Sequence, residues 1–67
     1  RYAEAAKAFA AGDNEAALQG WIDVVEQDRS LDDDGARRAC IALFGLLGED
    51  HELTQRYRRR FSMALSA

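Results

Sequence analysis

Sixty-seven residues suffice for one domain, and a chain of that size hides only about 60% of the surface its unfolded form exposes, so the core must be thin. Charged residues make up 31% of the chain, and no apolar run approaches the roughly 20 residues needed to cross a bilayer, which excludes a helical membrane span. The net charge of -3 hides a split: residues 1 to 34 hold nine acids and three bases, residues 35 to 67 three acids and six bases. The acidic front half and a pI near 4.9 speak against nucleic acid as a partner.

There is no proline and no run of alternating polar and apolar residues, so helices are expected throughout and strands are not. The first helix is predicted over residues 2 to 11, with Tyr2, Ala5, Ala6 and Phe9 on one face. Gly12 stops it, because glycine takes a positive φ without steric cost. Asp13 offers a carboxylate to cap the second helix, residues 14 to 28. There Ala17, Leu18, Trp21, Ile22 and Val25 recur at the i, i+3, i+4, i+7 spacing of one buried face. Gly20 costs this helix about 1 kcal/mol relative to alanine, which predicts that another helix comes close to it.

A loop over residues 29 to 33 follows, its acids placed at the positive end of the third helix dipole. In the third helix, residues 34 to 47, Ala36, Ala39, Cys40, Leu43, Phe44 and Leu47 form the cleanest stripe in the chain, ended by Gly48. Ile41 and Leu46 lie beside that stripe and widen it, so this helix is expected to be the central one, covered on more than one side. Asp50 is the expected cap of the fourth helix, residues 51 to 65, with Leu53, Tyr57, Phe61, Ala64 and Leu65 inward and the arginines outward. Short connections favour antiparallel neighbours. The fold class is therefore all-α, a compact antiparallel array of four helices.

The stretch Gly12, Asp13, Asn14, Glu15, Ala16, Ala17, Leu18, with Trp21 four residues after Ala17, resembles the turn and second helix of a tetratricopeptide repeat. In that repeat the glycine turns the chain and the small alanine lets helices pack closely beneath the aromatic. The array then reads as a helix pair of tetratricopeptide type followed by a second, diverged pair. Arg29 stands where the closing proline of the repeat falls.

A longer ordered set runs through residues 12 to 65: Gly12-Asp13, Glu15-Ala16-Ala17-Leu18, Asp28, Asp34-Gly35, Arg37-Arg38, Leu47-Gly48 and Tyr57-Arg58-Arg59. In this order and spacing the set resembles the C-terminal helical domain of bacterial thioredoxin-like co-chaperones, the chaperedoxins of the YbbN/CnoX type. The resemblance implies one helical domain, residues 1 to 67, behind an upstream thioredoxin domain in the same chain. It implies a holdase for unfolded client proteins that hands them to the chaperonin GroEL and to the DnaK system. By the same resemblance the last helix is the docking element, which makes Arg56, Tyr57, Arg58, Arg59, Arg60, Phe61 and Leu65 the partner-binding residues.

Nothing in the chain converges on catalysis, a cofactor or a metal. Cys40 is the only cysteine, so no internal disulfide forms, which favours a reducing, cytosolic setting. It lies inside an apolar stripe, where a free thiol serves as a small hydrophobe. His51 has no second histidine to share a metal with, and Asp50 and Glu52, as helix neighbours, do not face it. The run Asp32-Asp33-Asp34-Gly35 suggests a calcium loop, but aligning Gly35 with the sixth loop position puts Ile41 where a bidentate glutamate is required. Arg56, Arg58, Arg59 and Arg60 fan around the fourth helix as a broad basic surface. It suits an acidic protein partner, or partial pairing with Asp32, Asp33 and Asp34. Trp21, Phe44, Tyr57 and Phe61 could line a groove for an apolar client segment or a partner helix, but each falls on an inner stripe, which favours the core, most of all for Trp21 and Phe44 and less for Phe61 near the open end of the bundle.

Overall fold

The computed structural model describes residues 2–28 and 34–66, so the loop expected over 29 to 33, with Asp32 and Asp33, lies outside the described residues. Four helices follow one another: α1 (Tyr2–Ala10), α2 (Asn14–Asp28), α3 (Asp34–Leu47) and α4 (Glu52–Ser66). No strand occurs among the described residues. The all-α array read from the sequence is the one the chain forms, with α2 and α3 bounded where their periodicity placed them.

The helix ends follow from local chemistry. Gly12 and Gly48 take φ of 88° and 93°, and the turn after α1 closes with the Asp13 amide donating to the Ala8 carbonyl at 2.8 Å. The Asp13 carboxylate accepts from the Ala16 amide at 3.1 Å and caps α2 as expected. The cap of α4 differs from the expectation. This helix begins at Glu52, one residue later than its periodicity suggested, so the capping position falls on His51 instead of Asp50. There the imidazole Nδ1 accepts from the Leu53 amide at 3.0 Å.

The core gathers Ala5 from α1, Ala17, Leu18, Trp21, Ile22, Val24 and Val25 from α2, Ala36, Cys40, Leu43 and Phe44 from α3, and Tyr57, Phe61 and Ala64 from α4. Burying a side chain of the size of Leu18 or Ile22 contributes about 1.5–3 kcal/mol, so these few residues carry most of the stability. The central helix is α2, which packs against α1, α3 and α4. The sequence pointed to α3, because Ile41 and Leu46 widen its apolar stripe. No other helix among the described residues covers that widening, and Ile41 is 48% and Leu46 71% exposed.

Gly20 answers to close packing. A Cβ built on it would lie 2.8 Å from the Cβ of Ala5, so α1 crosses α2 at the one position where no side chain intervenes. Tyr2 and Phe9 are half-exposed and bracket Trp21, with ring centroids 6.1 and 6.0 Å from the indole. On α4 the inward residues are Thr54, Tyr57, Phe61 and Ala64. Leu65, expected inward, is 44% exposed, because each step along a helix turns by about 100° and carries it off the face that Ala64 shares with Phe61.

Candidate protein interface

The arginine-bearing helix shows two different sides. Toward α2, the polar stripe Glu15, Gln19, Asp23, Glu26 meets Arg56, Tyr57 and Arg60. Glu15 Oε2 accepts from Arg56 Nη1 at 3.0 Å and from the Tyr57 hydroxyl at 2.6 Å, and that hydroxyl accepts in turn from Gln19 Nε2 at 2.8 Å. Further along, Arg60 Nη2 donates to Asp23 at 2.7 Å and to Glu26 at 3.2 Å. Residue numbers rise together on both partners, so α2 and α4, each the second member of its pair, run parallel. The Tyr57 hydroxyl is the main cause that holds the Glu15 carboxyl below the usual carboxylate range; burial opposes it, and the Arg56 guanidinium adds to the lowering by its hydrogen bond and its charge. The same hydrogen bond to Glu15 raises the Tyr57 phenol.

Arg56 and Arg60 are therefore engaged inside the chain with α2; of the acids expected from the sequence, Asp32 and Asp33 lie outside the described residues. Asp34 instead pairs with its own helix, accepting from Arg37 Nε at 3.0 Å and lying 3.8 Å from Arg38. Arg37 lowers the Asp34 carboxyl, by its hydrogen bond first and its charge second. Such exposed pairs are each worth little, but the α2–α4 set crosses between helices and fixes which face of α4 turns inward.

The other side of α4 faces α3. Arg58 donates to Glu49 Oε2 at 2.9 Å, and its guanidinium lies 5.0 Å from the centroid of Phe44. Phe44 and Phe61 meet edge to face at 5.5 Å. Above them runs an open groove of about 430 Å3, lined by Ile41, Phe44, Gly45, Glu49, Arg58, Phe61 and Ser62. Arg59 is exposed and makes no ion pair among the described residues. Of the seven expected partner-binding residues, the fold brings Arg58 and Phe61 to this groove. It turns Arg56, Tyr57 and Arg60 toward α2 and leaves Arg59 and Leu65 facing solvent. A second groove of about 510 Å3 runs between α1 and α2 over Ala5, Ala8, Ala16 and Gly20, with Glu4 and Asp23 on its rim.

Cys40 lines neither groove. Burial pushes the Cys40 thiol up to about 12, which keeps it protonated and unreactive near neutral pH. Among the described residues no group of three or more His, Cys, Asp or Glu side chains is arranged to hold a metal ion. No helix there is long and apolar enough to cross a membrane. Sequence reading missed the α2–α4 ladder, and of the four aromatics weighed as groove residues only Phe44 and Phe61 line the α3–α4 groove. The signal for the ladder was the spacing of Glu15, Gln19, Asp23 and Glu26, which recurs like an apolar stripe but is polar and so reads as a solvated face. The position of the groove itself carries no sequence signal, since a groove is a gap between helices.

What these surfaces can do is bind other polypeptides through apolar contacts framed by charge. No curated protein and no solved structure matches the chain significantly. A family model described as tetratricopeptide repeat matches residues 1–65. With four helices in antiparallel succession and close α1–α2 packing at Gly20, the chain belongs to the tetratricopeptide repeat family, whose members are protein-interaction modules.

Proposed function

We propose that the chain is a co-chaperone adaptor, which helps a thioredoxin-like holdase in the same polypeptide hold unfolded clients and dock on the chaperonin GroEL, with the DnaK system as a further recipient. The observation that carries this reading is the ordered set from Gly12-Asp13 to Tyr57-Arg58-Arg59 and its resemblance to the chaperedoxin C-terminal domain. The exposed edge of α4 supports it, since Arg58, Arg59 and Leu65 offer cationic and apolar contact without disturbing the core. Arg56 and Arg60, neutralised by α2, contribute to holding α4 in place; Arg58 and Arg59 steer the encounter.

The test is binding of the purified domain to purified GroEL, comparing the natural sequence with Arg59→Glu and Leu65→Ser together. Both side chains are exposed, so the variant keeps its fold, whereas deleting α4 would strip Tyr57 and Phe61 from the core. Loss of most GroEL binding in the variant is the expected result. Equal binding by both forms, or none by either, overturns the reading. A second reading, an architectural part in self-association or in capping a helical repeat array, is favoured by the apolar residues that α3 leaves uncovered.

A further inference from the structure

The uncovered face of α3 has an internal order. Arg38, Ile41, Ala42, Gly45 and Leu46 are all exposed and recur at i, i+3, i+4, i+7 and i+8, the spacing of a helix seam, and the exposed Glu49 follows just past the end of the helix. The large apolar members are the most open of any on this helix, Ile41 at 48% and Leu46 at 71%. A basic residue stands at one end of the seam and an acidic one just past the other. Arg38 is held only loosely by Asp34, at 3.8 Å, and Glu49, although paired with Arg58 at 2.9 Å, keeps a second carboxylate oxygen to offer; both are more than two-thirds exposed, with side-chain values of 75% and 79%.

Gly45 adds an independent observation. Its φ is not positive, and a Cβ built on it would meet nothing within 4 Å. Neither backbone conformation nor packing inside the chain calls for a glycine there, in contrast to Gly20. A bare position on an exposed apolar seam is what close approach by an outside helix requires.

We propose that this seam is the interface of a two-fold symmetric dimer, in which α3 of one copy packs antiparallel against α3 of a second copy of this chain. The seam is self-complementary in that direction alone. Antiparallel pairing about its midpoint sets Ile41 of each copy opposite Leu46 of the other, Ala42 opposite Gly45, and Arg38 toward Glu49. Small residues meet at the centre where the backbones cross, large apolar residues flank them, and opposite charges close both ends. A symmetric interface demands such self-complementarity, since every contact occurs twice. Parallel pairing would set like charge against like. Charge and register therefore select a second copy over an unrelated helix. The contact is one helix face per copy, at the small end of stable interfaces, so the dimer is weak and depends on concentration. The inference deepens the self-association reading and does not depend on the chaperonin.

Sedimentation equilibrium of the 67-residue chain tests it. Between about 10 μM and about 1 mM the apparent mass should rise from that of one chain toward that of two. Gly45→Leu, which places bulk where the backbones cross and whose Cβ meets nothing within 4 Å in its own chain, should stay monomeric at every concentration, with Gly45→Ala as the milder variant that keeps the fold while weakening the dimer. Arg38→Glu and Glu49→Arg should each be monomeric alone, because each carries like charges at both ends of its seam, and should form a heterodimer when mixed. A natural chain that remains monomeric to about 1 mM overturns both this interface and the self-association reading. A dimer that Gly45→Leu leaves intact overturns the interface and leaves self-association standing.

Discussion

Thr54 is the one buried polar residue among the described residues, 1% exposed on the inward face of α4, and its hydroxyl has no hydrogen-bond partner there. An unpaired buried hydroxyl costs about 1–3 kcal/mol. Thr54→Val keeps the shape and removes that cost, so the variant should be more stable by about 1 kcal/mol, raising the melting temperature by roughly 4–8 °C for a domain this small. A lower melting temperature would mean that the hydroxyl is satisfied after all. The two mid-helix glycines make an opposed pair. Gly20→Ala forces a Cβ to within 2.8 Å of the Ala5 Cβ, which has no flexible end to yield. It should destabilise by about 1–3 kcal/mol despite the better helix propensity of alanine. Gly45→Ala meets open space and should stabilise by about 0.5–1 kcal/mol. Denaturant titration of dilute protein separates the two signs.

Between elements, the ladder joining α2 to α4 makes stability depend on pH. The Glu15 carboxyl is lowered in the folded chain from its ordinary 4.5, chiefly by the Tyr57 hydroxyl and then by Arg56. A lowered carboxyl contributes stability that is present above the unfolded value and is lost as the pH falls through the folded one. Asp34, lowered from 3.8 by Arg37, acts in the same direction at lower pH. The natural domain should therefore melt above Glu15→Gln at pH 7. That difference should shrink steadily below about pH 4.5, the ordinary value, as the natural carboxylate is protonated too. Melting curves of both forms between pH 2.5 and pH 7 read this as converging midpoints. A difference that stays constant across the range would remove Glu15 from the ladder.

At the scale of the molecule, four helices share one thin core, and Cys40 lies at its centre, fully buried and raised to about 12. A thiol in that position reacts only when the domain opens. With the roughly 3–5 kcal/mol that a core this small supplies, alkylation in native buffer should run about 10²- to 10⁴-fold slower than that of free cysteine. The rate should rise in proportion to the unfolded fraction as denaturant is added. Reaction in native buffer at the rate of free cysteine would show that α2 and α4 do not seal α3.

By itself the sequence determined the helices. The spacing of Ala17, Leu18, Trp21, Ile22 and Val25, the glycines at 12 and 48, and the Asp13 cap are local signals, and local signals set where a helix starts, stops and turns its oily face. It also pointed to a close approach at Gly20, because a costly residue inside a helix needs a packing reason. The tertiary structure alone decided which helix is central, that Arg56 and Arg60 answer to α2, and that Leu65 faces out while Thr54 faces in. Those outcomes depend on how far one helix rotates and slides against another. Periodicity within a helix is blind to both, because a stripe records which residues share a face and not what that face will meet.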